Sequence, residues 1–268
     1  MNRLQTVVGA VALGVGLIVG SQAQAADEFP LRAQYALVGV KPLDTEVLTK
    51  DRAKFTVVDV RSAYEYQTLH IAGAVSVPLT SPKFVDSLKS LSAQDKKPLV
   101  FYCNGTTCEK SYKAASDALA AGIKPVWVYD AGIFAWAKVN PAQTVLLGKP
   151  MTSASQLISK ADFEAHLLSP QEIDARLAKE PNAIVLDVRD AEQRAGISLF
   201  QMKDIHVPLD SPKLIEWVDK AKAEHRPLYC IDATGHQVQW LQYVLQERGL
   251  TQYWFVRGGA RALYESLK

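Results

Sequence analysis

The stretch FYCNGTTCEKS, residues 101–111, holds two of the chain's three cysteines, Cys103 and Cys108. Three chemistries are open to such a pair: a disulfide clip, a metal clip, or a nucleophile with a neighbour. The metal clip fits poorly, because the spacing is not Cys-x2-Cys and the five histidines (70, 166, 206, 225, 236) are scattered. A disulfide needs the two Cα atoms within about 4.4–6.8 Å, which a curled loop of this length allows or forbids by its geometry. A nucleophile needs the thiolate, so a thiol pKa of ~8.5 must be lowered. An apolar run precedes Cys103 and a helix-like segment follows the loop. Inward-turned N–H groups of Asn104 through Cys108 and the start of a helix would set partial positive charge against the sulfur. Gly105 lets the loop bend, Thr106 and Thr107 offer hydroxyl donors, and Lys110 and Lys113 are either site cations or solvated lysines of a helix face.

The elements that must position this loop follow from self-comparison. TVVDVRSAYE (56–65) recurs as IVLDVRDAEQ (184–193), VPLTSPKFVDSLK (77–89) as VPLDSPKLIEWVD (207–219), and LVFYCNG (99–105) is answered by RPLYCID (226–232). This is a duplicated unit. In each copy, runs rich in Val, Tyr and Phe (FTVVDV, KPLVFYC, PVWVYD) alternate with amphipathic stretches such as SYKAASDALAAG. That pattern predicts an α/β fold of two tandem units, each a mostly parallel sheet with helices on both faces. Ligands of such sheets sit at the carboxyl ends of the strands, where Cys103 and Cys230 are both expected. Asp59 and Arg61, repeated as Asp187 and Arg189, end a strand beside the loop and are expected to pair and brace it. Trp127, Trp136 and Trp254 are expected to pack.

The first residues combine a short positive start with the apolar run VVGAVALGVGLIVG (7–20) and small residues at Ala23 and Ala25. Residues 1–25 are therefore expected to be a signal peptide, leaving an exported, soluble, periplasmic protein. The run is short for a spanning helix. A net charge of +2 and the lack of Lys/Arg runs make no case for nucleic acid or a membrane surface. Three cysteines are too few for a disulfide framework, and an odd number leaves at least one thiol free, reactive or shared.

VVDVRSAYEYQTLHIAGAVSVPL resembles the front motif of rhodanese domains: Asp-x-Arg, then Glu-Tyr, then His-Ile-x-Gly-Ala before an apolar-Pro pair. VYDAGIFAWAK (128–138) is similar to the closing Gly-x-x-x-Trp motif of that family. The likeness spans 35–139. Residues 167–268 keep VLDVRD, Cys230 and VRGGARAL but have GISLFQMKDIHVPL in place of the His-Ile segment, as a degenerate second copy joined by a linker at 140–166. The resemblance implies sulfane-sulfur transfer through a persulfide on Cys103, from a small donor such as thiosulfate to a thiol or cyanide acceptor, with no cofactor and no metal. An exported redox protein is a candidate partner. His70 is expected to hold local structure.

The sixth loop position, where many rhodaneses carry a basic residue, is Cys108. It is a helix-start residue, one end of a disulfide, or a resolving thiol that attacks Cys103 and expels sulfide. A phosphatase-like Cys-x5-Arg site is disfavoured, since Glu109 and His236 stand six residues after the two cysteines. Cys230 is a second sulfur carrier, a site for another substrate, or part of a supporting domain. Asp232 nearby would raise its pKa and favours support. The alternative to a turnover enzyme is a sulfur-carrier or dithiol/disulfide partner protein that uses Cys103 and Cys108.

Overall fold

A computed structural model describes residues 28–194 and 204–266. The expected signal peptide and the GISLFQM part of the second copy lie outside the described residues. The strands are β1 (Lys41–Pro42), β2 (Thr56–Asp59), β3 (Leu69–Ile71), β4 (Val75–Ser76), β5 (Leu99–Tyr102), β6 (Val126–Tyr129), β7 (Thr144–Leu146) and β8 (Lys149–Pro150). They continue with β9 (Leu167–Leu168), β10 (Ile184–Asp187), β11 (Asp204–His206), β12 (Leu228–Ile231) and β13 (Tyr253–Val256). The first sheet runs β1-β6-β5-β2-β4 and the second β9-β13-β12-β10-β11, with every pairing parallel. Position by position, the strand order is the same.

In the first unit, helices α1 (Leu31–Tyr35), α2 (Thr45–Asp51), α3 (Ala63–Thr68), α4 (Phe84–Asp95), α5 (Lys110–Ala120) and α6 (Gly132–Val139) flank the sheet. Side-chain alternation along the strands divides the core. Val58, Phe101 and Val128 face Phe84 and Leu88 of α4 and Tyr112, Ala115 and Ala118 of α5. Val57, Val100, Tyr102 and Tyr129 face Leu48, Ile133 and Trp136 on the other side. β2 and β5 are buried along their whole length, as central parallel strands covered on both faces require.

The expected linker proves to belong partly to the first unit. β7 pairs antiparallel with β3, and β8 pairs with β7, so residues 144–150 complete a small sheet beside the first unit. The second unit carries α7 (Lys160–Glu164), α8 (Pro170–Leu177), α9 (Ala191–Arg194), α10 (Lys213–Ala223), α11 (Val238–Glu247) and α12 (Gly259–Ser266). α11 is the joint between units. Its Val238, Leu241 and Leu245 enter the second core, while Trp240 and Tyr243 enter the first. Ile158 donates its N–H to the Tyr243 hydroxyl at 3.1 Å, tying the connecting segment to the same helix.

Candidate active site

Cys103 follows the last residue of β5 and is 1% exposed. Its carbonyl accepts the N–H of Ile133 at 3.0 Å, so the start of α6 fixes the start of the loop. This approach needs Gly132, whose φ is +74° and where an added Cβ would lie 2.4 Å from the Gly105 nitrogen. Cys103 and Cys108 are joined in a disulfide with Cα atoms 6.2 Å apart. The six-residue curl thus meets the distance requirement that the sequence left open. Thr106 is half-buried and Thr107 exposed at the loop tip. The N–H of Cys108 donates to the carbonyl of Gly105 at 3.0 Å, which corrects the expectation that it belongs to the anion-facing set.

Behind the loop lies a buried charged network. Arg61 pairs with Asp59 through Nε (2.9 Å) and Nη2 (2.6 Å), both side chains being fully buried. The same guanidinium donates to the Leu69 carbonyl at 2.6 Å and to Asn104 Oδ1 at 3.1 Å. Burial works against the charge of Arg61, but the charge and hydrogen bonds of Asp59 more than offset it and raise its pKa. Asn104 in turn donates through Nδ2 to Glu65 Oε1 at 2.9 Å, so its side chain braces the loop from behind instead of pointing into it. Glu65 caps its own helix, its other oxygen accepting from the N–H and hydroxyl of Ser62 at 3.0 and 2.9 Å. Burial opposes its ionisation, yet Arg61, Asn104, Ser62 and the charge of Lys110 hold its pKa below the ordinary glutamate value.

Lys110 begins α5, and its charge is the last of the causes that lower the Glu65 pKa, whereas Lys113 is engaged by Glu109 at 2.8 Å. His70 donates from Nδ1 to the Tyr66 carbonyl at 2.6 Å and stacks on the Tyr66 ring at 4.0 Å. Burial lowers its pKa, and its contacts are local.

Cys230 is not where the sequence comparison put it. It lies within β12, opposite Leu186 and Phe255, and is completely buried in the second core. Register shows why. Asp59 pairs with Tyr102 and the repeated Asp187 pairs with Ile231, so the residue matching Cys103 is Asp232. The carbonyl of Asp232 accepts from Ala260 at 2.8 Å, as that of Cys103 accepts from Ile133. Cys230 therefore matches Phe101. Burial first, and then the charge of Asp232, push its thiol pKa far up. The Asp232 carboxylate accepts the N–H groups of Gly235, Gln237 (2.5 Å) and Val238 (3.2 Å). The second loop is thus an anion cradle filled by its own side chain.

The sequence reading missed the bracing roles of Glu65 and Asn104 and the place of Asp232. Ser62-x-x-Glu65 is a capping-box pattern visible in sequence and was a usable signal for Glu65. Among the described residues, no group of three or more His, Cys, Asp and Glu side chains is placed to hold a metal ion, and no helix is long and apolar enough to cross a membrane.

Residues 45–139 match the family model of the rhodanese-like domain. A curated relative, the HTH-type transcriptional regulator Rv0324 of Mycobacterium tuberculosis, is 33% identical over 87 residues, 32% of this chain and 36% of that protein. The chain spans about a third of the length of that relative. Similar solved structures include the BH2092 protein of Bacillus halodurans, 26% identical over 51% of this chain and 96% of that one, with a TM-score of 0.37. A thiosulfate sulfurtransferase of Pseudomonas aeruginosa is 21% identical over 88% of this chain and 47% of that one, with a TM-score of 0.34.

Proposed function

We propose that the chain is an exported sulfurtransferase of two rhodanese-like domains. The first is catalytic through Cys103, and the second is a support. The reading rests on one observation: Cys103 stands at the carboxyl end of a central strand, fixed by Ile133 and backed by the Asp59–Arg61–Asn104–Glu65 network. In the reduced form, the Cys103 thiolate attacks the outer sulfur of thiosulfate, and sulfite leaves with the electron pair of the broken S–S bond. A thiolate or cyanide acceptor then takes the outer sulfur of the persulfide, restoring the Cys103 thiolate. Gly105, Thr106 and Thr107, with Lys110 at the helix start, are the groups nearest the incoming anion, and Asn104 acts by bracing. Export is supported by the pattern of residues 1–25.

The Cys103–Cys108 disulfide favours a second reading, a dithiol/disulfide partner of an exported redox protein. An external thiolate attacks Cys108, less buried than Cys103, and displaces the Cys103 thiolate; a second thiol releases the mixed disulfide and leaves the dithiol. Intact mass of the reduced protein after brief thiosulfate exposure separates the readings. One added sulfur, lost only in Cys103→Ser, supports transfer, and accumulation only in Cys108→Ser makes Cys108 the resolving thiol. Loss of two hydrogens that needs both cysteines, with no sulfur gained in any variant, Cys108→Ser included, supports the redox reading and defeats the first.

A further inference from the structure

We infer that the second unit supplies a positioning residue to the Cys103 site: Trp240. The inference rests on the reading of Cys103 as the reactive thiol. Trp240 lies on α11 of the second unit, yet it is fully buried in the core of the first, with Tyr102, Ile133 and Trp136. Its ring lies 5.1 Å from the guanidinium carbon of Arg61. Its other close partner across the units is the ring of Phe134, stacked at 5.2 Å and 16°, while Tyr243 of its own helix stacks at 6.3 Å.

These two contacts fall on the two supports of the loop. Arg61 holds Asn104, the residue after Cys103, and Phe134 follows Ile133, whose N–H holds the Cys103 carbonyl. One side chain from the second unit thereby presses on both supports. Packing alone does not explain a tryptophan here, because its Nε1 is buried with no hydrogen-bond partner among the described residues. A phenylalanine would fill much of the space without an orphaned donor. What the indole adds is a broad electron-rich face for a desolvated guanidinium.

The role is one of placement. Trp240 restrains the Arg61 cation and, through Asn104, the backbone that receives the anionic sulfur. Without the indole, Arg61 keeps only the Tyr102 ring of its two aromatic neighbours, 5.5 Å away, and gains freedom, and the loop loses part of the positive field that favours the thiolate.

The test uses the reduced mature protein carrying Cys108→Ser, with Cys230 buried, so that Cys103 is the reactive thiol. Its alkylation by iodoacetamide is followed against pH in the parent, Trp240→Phe, Trp240→Leu and Tyr243→Phe. Thermal unfolding and thiosulfate turnover are measured beside it. In Trp240→Leu the alkylation profile moves to higher pH, and turnover falls roughly threefold to thirtyfold at nearly unchanged KM. Trp240→Phe restores most of both. Tyr243→Phe alters the same interface without touching Arg61 and leaves the profile in place. An unmoved profile in Trp240→Leu overturns the inference, as does an equal shift in Tyr243→Phe. If Trp240→Leu does not fold, Trp240→Phe decides: a small upward shift supports the role and none overturns it. Alkylation does not depend on sulfur transfer, so a parent that fails to turn over thiosulfate counts against the proposed function while the pH profiles still judge Trp240.

Discussion

A carboxylate buried behind a thiol loop has to earn its charge, and Glu65 does so through three donors and two cations. Asn104 Nδ2, the Ser62 N–H and the Ser62 hydroxyl all donate to it, and Arg61 and Lys110 add positive charge. Its pKa is lowered on folding, so the unfolded chain binds its proton more readily. The stability it contributes is fully present above the ordinary value near 4.5 and is lost as pH falls through the lower folded value. Glu65→Gln keeps the shape and removes the charge. The variant should be less stable than the parent by about 1–3 kcal/mol at neutral pH. The gap should narrow as the pH drops below the ordinary glutamate range. Urea midpoints across the acid limb measure this, and a gap of constant size at every pH would show that the charge contributes nothing.

At the scale of elements, the loop that follows β5 is held by backbone contact with the start of α6, and Gly132 is where the two segments meet. Gly122 offers the comparison. Its φ is +81°, close to the +74° of Gly132, but an added Cβ there would meet nothing within 4 Å. Gly122→Ala should cost about 1–2 kcal/mol of left-handed strain and leave sulfur loading of Cys103 intact. Gly132→Ala adds a collision with the backbone of Asn104 and Gly105. It should slow loading on the order of 100-fold through displacement of the loop. Equal loading rates in the two variants would remove Gly132 from the site. The strands that carry this contact were legible as short Val-, Tyr- and Phe-rich runs, because central parallel strands bury both faces. Asp59 and Arg61 were legible as a brace because they are two residues apart at a strand end. The place of Cys230 was not. LVFYC and PLYC present the same apolar-aromatic-Cys pattern, and a slip of two residues keeps every side chain on its original face. Only the pairing of Asp59 with Tyr102 against that of Asp187 with Ile231 reveals the slip, and pairing across strands is not written in either strand alone. Trp240 was illegible for the same kind of reason. Its partners Arg61 and Phe134 lie more than a hundred residues earlier in the chain.

Across the whole molecule, the two loops solve one electrostatic problem in two ways. Each stands between a central strand and a helix, and each has its first carbonyl held by the N–H of the residue after a closely packed glycine. In the first unit the residue at the head of the loop is Cys103, joined to Cys108, and under the proposed function the anion would arrive with the substrate. In the second it is Asp232, and the anion is part of the chain, already bound by Gly235, Gln237 and Val238. Asp232→Ala takes the anion away and leaves three inward N–H groups without their acceptor. Such groups are costly to bury unpaired, so the thermal midpoint should fall. A small oxyanion that enters the vacated cradle would bind the folded state alone and recover part of the loss by mass action. Sulfate also strengthens burial in any protein by exclusion from its surface, so the informative quantity is the difference between variant and parent. At matched ionic strength against chloride, sulfate or phosphate should raise the midpoint of Asp232→Ala more than that of the parent, and the excess should saturate. If the two respond in parallel, the second loop is a braced turn with no capacity for anions, and its likeness to the first is one of backbone path alone.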